Sequence, residues 1–212
     1  MIRCLIFDLD GTIGNTLPLC IAAFKMAIEP LAGRELSDQE IIDTFGPSEE
    51  GTVRALLPSH YDRGIESYLH HYRRMHAMCN APFKGIEEVL AYAKQRNVRL
   101  ALVTGKGSRS TDITLEQFRL RSYFEAIETG SPMGPRKVQG IQNVLLQLGV
   151  DASECLYIGD APSDITASRA AGVSVASAAW AETADAELLR SLDPDELFTT
   201  VDQFKIYIER MV

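Results

Sequence analysis

Two short acidic clusters carry most of the chemistry the chain can offer. They are Asp8-Leu9-Asp10-Gly11-Thr12 and Gly159-Asp160-Ala161-Pro162-Ser163-Asp164. Thr104, directly after an apolar run, and Lys137, after the loop Gly130-Ser131-Pro132-Met133-Gly134-Pro135, complete the set. Carboxylates attack, shuttle protons or bind cations, while lysine and hydroxyl groups hold phosphate oxygens. Brought together at low dielectric, Asp8, Asp10, Asp160 and Asp164 repel one another unless a cation sits among them. Oxygen ligands with no nearby His or Cys favour Mg²⁺ over Zn²⁺, and Mg²⁺ commonly joins one or two carboxylates to a substrate's phosphate oxygens. The predicted chemistry is metal-assisted work on a phosphate.

Each cluster follows a predicted strand, Lys137 after a strand and a loop. Residues 2–7 are apolar apart from Arg3, the pattern of a strand buried on both faces, and 98–103, 124–128, 155–158 and 173–176 read as further strands. Between them, Ile86, Val89, Leu90 and Ala93, and then Ile141, Val144, Leu145 and Leu148, form helical stripes. Strands alternating with helices predict a doubly wound parallel α/β sheet, whose carboxyl edge collects the residues that follow each strand. Residues 15–80 break that rhythm with helical patterns at 17–30, 37–44 and 62–78. They read as an all-helical inserted domain, leaving 1–14 and 81–212 as the core domain. Residues 181–195 read as a mobile helix and loop.

The chain has 212 residues, room for one core domain and a smaller insert, and its 46% hydrophobic and 24% charged residues are ordinary for a globular protein. A net charge of −8 repels duplex nucleic acid and anionic membranes as a whole. No run approaches the roughly 18 apolar residues of a membrane span, and the start lacks the pattern of a secretory signal. Cys4, Cys20, Cys79 and Cys155 show no CxxC spacing and read as reduced thiols in a cytoplasmic protein.

Phe7-Asp8-Leu9-Asp10-Gly11-Thr12, Thr104, Lys137 and Gly159-Asp160-Ala161-Pro162-Ser163-Asp164, in that order around a helical insert, resemble the haloacid-dehalogenase-like phosphohydrolases, closest to the phosphoglycolate phosphatase type with a helical cap. The resemblance implies a Rossmann-like core, a cap domain over residues 15–80, and a Mg²⁺-dependent phosphatase working on a small phosphorylated metabolite, with phosphoglycolate the default. It implies Asp8 as nucleophile and Asp10 as acid and base. Asp8, the backbone carbonyl of Asp10, Asp160 and Asp164 would form the metal site, and Thr104, Gly105 and Lys137 the phosphate cradle. The segment Phe45-Gly46-Pro47-Ser48-Glu49-Glu50 matches in position the cap loop that enters the active site, and Phe45 to Glu50, with Phe45, Gly46 and Pro47 foremost, are expected to shape the substrate's non-phosphate end. The chain departs from the pattern at Asn15, where Asp is common, at Gly105, where Asn often follows the Thr, and at Val138, where Pro often follows the Lys. Arg136 and Lys106 are neighbouring bases, and Lys137 is preferred because it heads the Ile141 helix.

Singly, these residues have plainer explanations: Asp8-x-Asp10 as loop solvation, Thr104 as a helix N-cap, Lys137 as a surface lysine. A calcium loop over Asp8–Leu19 fails because Gly11 is misplaced and Leu19 stands where Glu is needed. His60, His70, His71 and His76 read as a solvated cap surface, and Trp180 as packing. The rival functions are a phosphomutase with the same aspartyl-phosphate chemistry and a non-catalytic phospho-Asp receiver, with a monomer or homodimer as the expected assembly.

Overall fold

A computed structural model describes residues 2–212. The strands are β1 (Cys4–Phe7), β2 (Arg99–Val103), β3 (Ala126–Glu128), β4 (Cys155–Gly159), β5 (Ser174–Ala178) and β6 (Glu196–Phe198). All pair in parallel, in the order β3-β2-β1-β4-β5-β6. The chain winds one way through β1, β2 and β3 and the other way through β4, β5 and β6. The direction therefore reverses between β1 and β4, where an open α/β sheet forms its ligand crevice.

β1 shows why the sheet is buried on both faces. Leu5 and Phe7 point into one core with Leu100, Leu102, Leu156 and Ile158, while Cys4 and Ile6 point into the other with Ala101, Val103 and Tyr157. Helices α5 (Ile86–Gln95), α6 (Ser108–Phe118) and α10 (Val201–Met211) contribute to the first core, and α7 (Lys137–Leu148) and α8 (Pro162–Ala170) to the second. Between β1 and α5 the chain is helical: α1 (Leu17–Ala32), α2 (Asp38–Ile42), α3 (Glu49–Leu56) and α4 (Tyr61–Met75). The α1 and α4 helices pack side by side, with the Phe24 and Tyr68 rings stacked at 4.2 Å between centroids.

The doubly wound parallel sheet is as expected, with shorter strands at 4–7 and 126–128. Three elements were not anticipated. Helix α3 holds Gly51 and Thr52 in its first half, weak helix formers that mask its periodicity. Strand β6 has three residues, too few to show a period. Helix α10, by contrast, carries readable signals: buried Val201, Phe204 and Ile208, and a Thr200 hydroxyl that accepts from the Gln203 N–H. The segment expected as a mobile helix and loop contains α9 (Ala186–Ser191). Asp185 caps it by accepting from the N–H groups of Glu187 and Leu188, and buried Leu189 anchors it to the core.

Phe204 locks α10 onto the sheet. Its ring meets Phe7 edge-on at 6.1 Å and lies 5.6 Å from both Trp180 and Phe198. Phe204→Ala is expected to destabilise the fold by about 3–5 kcal/mol through lost burial and the cavity left behind, measured by urea unfolding. A loss below ~1 kcal/mol would show that α10 contributes little to the core.

Candidate active site

Register places the polar clusters at one edge. Phe7 aligns with Leu102 on one side and Ile158 on the other, so the residues that leave the strands next, Asp8, Thr104 and Asp160, emerge side by side. The Asp8 N–H donates to the Ile158 carbonyl at 2.8 Å, and the Thr104 N–H to Glu128 at 3.0 Å, extending the ladder past the strand ends.

Asp8, Asp160 and Asp164 each present a carboxylate oxygen within 4.8 Å of the others. Burial pushes the Asp8 carboxyl up to about 6, against the pull of the Lys137 ammonium and with the Asp164 and Asp10 charges adding to the rise. Asp160 is raised well above the usual carboxylate range, first by burial and then by Asp8 and Asp164. Asp8 Oδ1 is buried with no hydrogen-bond partner. An orphaned carboxylate oxygen inside an all-oxygen cluster fits a hard divalent cation, for which these three residues would supply the ligands.

Lys137, the first residue of α7, sits over the cluster with Nζ 3.2 Å from Asp8 Oδ2 and 2.5 Å from Asp164 Oδ1. Burial opposes its charge, but the Asp164 and Asp8 carboxylates outweigh that and raise its pKa. Asp164, fully buried in the first turn of α8, also accepts from the Tyr157 hydroxyl at 3.1 Å and from the Ala161 N–H at 2.9 Å. Asp160 accepts from the Thr12 hydroxyl at 3.2 Å. Gly11, at φ +79°, lies so close that a Cβ there would fall 2.0 Å from Asp160 Oδ2, so a side chain would push the carboxylate out of place. Trp180 both packs, as expected, and steadies this loop, donating from Nε1 to the Thr12 carbonyl at 3.0 Å.

Asp10 stands apart from the three-carboxylate cluster. Its carboxylate accepts from the Thr16 hydroxyl and from Lys106 Nζ at 3.2 Å. Lys106 is buried, lies 3.0 Å from Cys20 Sγ, and sits 4.6 Å above the Tyr72 ring. Of the three neighbouring bases, Lys137 meets Asp8, Lys106 meets Asp10, and Arg136 pairs with Glu128 at 2.9 Å. Thr104 is buried, and its hydroxyl accepts from the Lys106 N–H at 3.2 Å, a local loop bond.

Phe45, Gly46, Pro47, Thr104 and Gly105 line one cavity of about 850 Å³ together with Asp8, Asp10, Lys137 and Asp160. The loop that carries Phe45 is tied to the core: the Ser48 N–H donates to the Ser131 carbonyl at 3.0 Å. Glu49, expected with this loop at the substrate's far end, makes a stronger tie to the core. Buried Glu49, which opens α3, accepts from the Gly107 N–H at 2.7 Å and the Ser110 hydroxyl at 2.6 Å, at the amino end of α6 where a carboxylate is favoured.

The solvated-surface reading fails for His76. It is buried, with Nδ1 2.7 Å from the Cys79 carbonyl and Nε2 3.1 Å from the Thr114 hydroxyl, because the chain turns inward after α4. All four cysteines are buried free thiols. Among the described residues, no helix is long and apolar enough to cross a membrane.

A parallel α/β sheet with an acidic cluster, a lysine and a second positioned carboxylate at its switch point is an arrangement suited to phosphoryl chemistry. Residues 5–178 match the family described as haloacid dehalogenase-like hydrolase, and the chain belongs to that family as an enzyme of its phosphatase group. It is 30% identical to pyrophosphatase PpaX of Bacillus pumilus over 84% of each chain. It is also 30% identical to a phosphoglycolate phosphatase of Pseudomonas savastanoi, over 81% of this chain and 67% of that one. Among solved structures, CbbY of Rhodobacter sphaeroides in complex with phosphate superposes with a TM-score of 0.80 at 18% identity, covering 96% of both chains. A predicted phosphatase of Clostridium acetobutylicum gives 0.79 at 19% identity over 99% of both. At these identities the two structures speak for the fold alone.

The buried contact with Lys106 holds the Asp10 carboxylate in place at the cavity. Lys106→Met is expected to lower phosphate release on the order of 10²-fold, through a displaced Asp10, while melting stays cooperative. Turnover within about twofold of the parent would show that Asp10 needs no such support.

Proposed function

We propose that the chain hydrolyses a small phosphomonoester through a phosphorylated Asp8. The observation that carries this reading is the cluster of Asp8 and Asp160, with Asp164 buried behind them, under Lys137 and at a cavity that Asp8, Asp160 and Asp10 line. In the first half-reaction an Asp8 oxygen bonds to phosphorus as the ester P–O bond breaks, and Asp10 passes a proton to the departing alkoxide. In the second, Asp10 takes a proton from water, whose oxygen bonds to phosphorus as the Asp8–phosphorus bond breaks. Inorganic phosphate leaves and Asp8 is regenerated.

Lys137 holds a positive charge over Asp8 and offsets the repulsion between the incoming carboxylate and the phosphoryl oxygens. Lys106 and Thr16 keep the Asp10 carboxylate turned away from the cluster, toward the side from which the leaving group departs. Asp8, Asp160 and Asp164, with the Asp10 carbonyl, would hold Mg²⁺. When bound it supplies charge neutralisation at the carboxylates and at the phosphoryl oxygens. Thr104 and Gly105 line the phosphate end, and Phe45, Gly46 and Pro47 the far end. Four buried free thiols suit a reducing compartment, so the enzyme's place is the cytoplasm.

Asp8→Asn is expected to reduce phosphate release from p-nitrophenyl phosphate to background, as is EDTA, with Mg²⁺ restoring the treated parent but not the variant. Turnover retained in Asp8→Asn would remove Asp8 as nucleophile. Transfer of the phosphoryl group to a second hydroxyl, with no free phosphate formed, would make the enzyme a mutase instead.

A further inference from the structure

The charges around the cavity are distributed unevenly. Its lining cations are Lys106, Arg136 and Lys137, all from the core and each already facing a carboxylate: Asp10, Glu128, and Asp8 with Asp164. The inserted helices contribute Leu17, Phe24, Phe45, Pro47 and Tyr68, with Glu49 as their one charged lining group. Glu49 is engaged at the amino end of α6, and its charge is negative. A carboxylate or second phosphate on the leaving group would enter this half without a free cation to meet it, and burying an unpaired charge is costly.

The same half offers a favourable surface to a different group. Phe45 lies 6.2 Å from Phe24 and Phe24 4.2 Å from Tyr68, so the aromatic wall on this side is the Phe45 ring at the mouth, backed by the buried Phe24 and Tyr68 rings. Phe45 is 39% exposed, leaving ring surface open to a ligand. A cavity of about 850 Å³ lies toward the upper part of the range for drug-sized ligands, far beyond the needs of a two-carbon acid.

We propose that the preferred substrate is a phosphomonoester of an uncharged, apolar alcohol, with an aromatic or similarly flat group against the Phe45 ring, and that esters with an anionic leaving group are discriminated against. This rests on the phosphatase reading above and narrows its substrate class. It also sets the enzyme apart from relatives named for phosphoglycolate and pyrophosphate.

Aryl esters react faster for chemical reasons alone, so the test uses binding of two phosphonates that differ in one group: benzylphosphonate and phosphonoacetate, as inhibitors of p-nitrophenyl phosphate hydrolysis in Mg²⁺. Benzylphosphonate is expected to inhibit about tenfold or more tightly. Phe45→Arg, which places a cation on the wall at an exposed position, is expected to narrow that ratio at least about threefold. Equal or tighter inhibition of the parent by phosphonoacetate would overturn the inference while leaving the phosphatase intact, and that result needs no variant to fold. An unchanged ratio in a Phe45→Arg variant that still turns over would also overturn it, by removing the wall from the recognition surface. Absence of turnover on p-nitrophenyl phosphate and on the other esters tried would fell the phosphatase reading itself.

Discussion

Three carboxylates sharing a buried space under 5 Å across define the constraint on which the rest of the molecule depends. Left alone, they would take up protons or drive the segments apart. The fold answers with geometry. β1 and β4 pair in register, so Asp8 and Asp160 cannot separate without breaking the sheet's central ladder, and α8 starts at once, bringing Asp164 back beneath them. Lys137, delivered by a third segment, supplies one positive charge, and the Tyr157 hydroxyl and Ala161 N–H supply donors. What remains unmet, the Asp8 oxygen without a partner above all, is a demand that a divalent cation would satisfy.

The inserted helices are bound into the same arrangement rather than simply set above it. Asp10 belongs to the core, yet Thr16, at the entrance to α1, donates to it, and Cys20 and Tyr72 wrap the lysine that faces it. Glu49 and Ser48 reach across to the loops after β2 and β3. The two carboxylates of the first motif thus sit in different surroundings, Asp8 among acids and Asp10 against a buried cation. That difference suits a nucleophile and a proton carrier two residues apart.

Much of this was legible in the sequence because strand-then-acid patterns are local and repeat. The apolar runs before Asp8, Thr104 and Asp160 fixed their shared edge once a parallel sheet was inferred, and Lys137 followed from the stripe of the helix it begins. Lys106 was less legible. Its own segment marks it only as a base near Thr104, and its burial against Asp10 depends on groups distant in sequence, Cys20 and Tyr72 among them. Glu49 was legible as part of the loop after residue 44, but nothing local shows that its carboxylate serves the amino end of α6. His76 read as surface because burial there depends on a turn after α4. The sequence-distant residues around these three groups, not their own types, decide what they do.

The central claim is that Asp8 carries the phosphoryl group between ester and water. Acid quenching of the enzyme during turnover of a ³²P-labelled phosphomonoester, followed by peptide mapping, tests it most directly. The account predicts transient, hydroxylamine-labile label on the peptide that holds Asp8. Steady release of phosphate with no label there, or with label on a different residue, would contradict it.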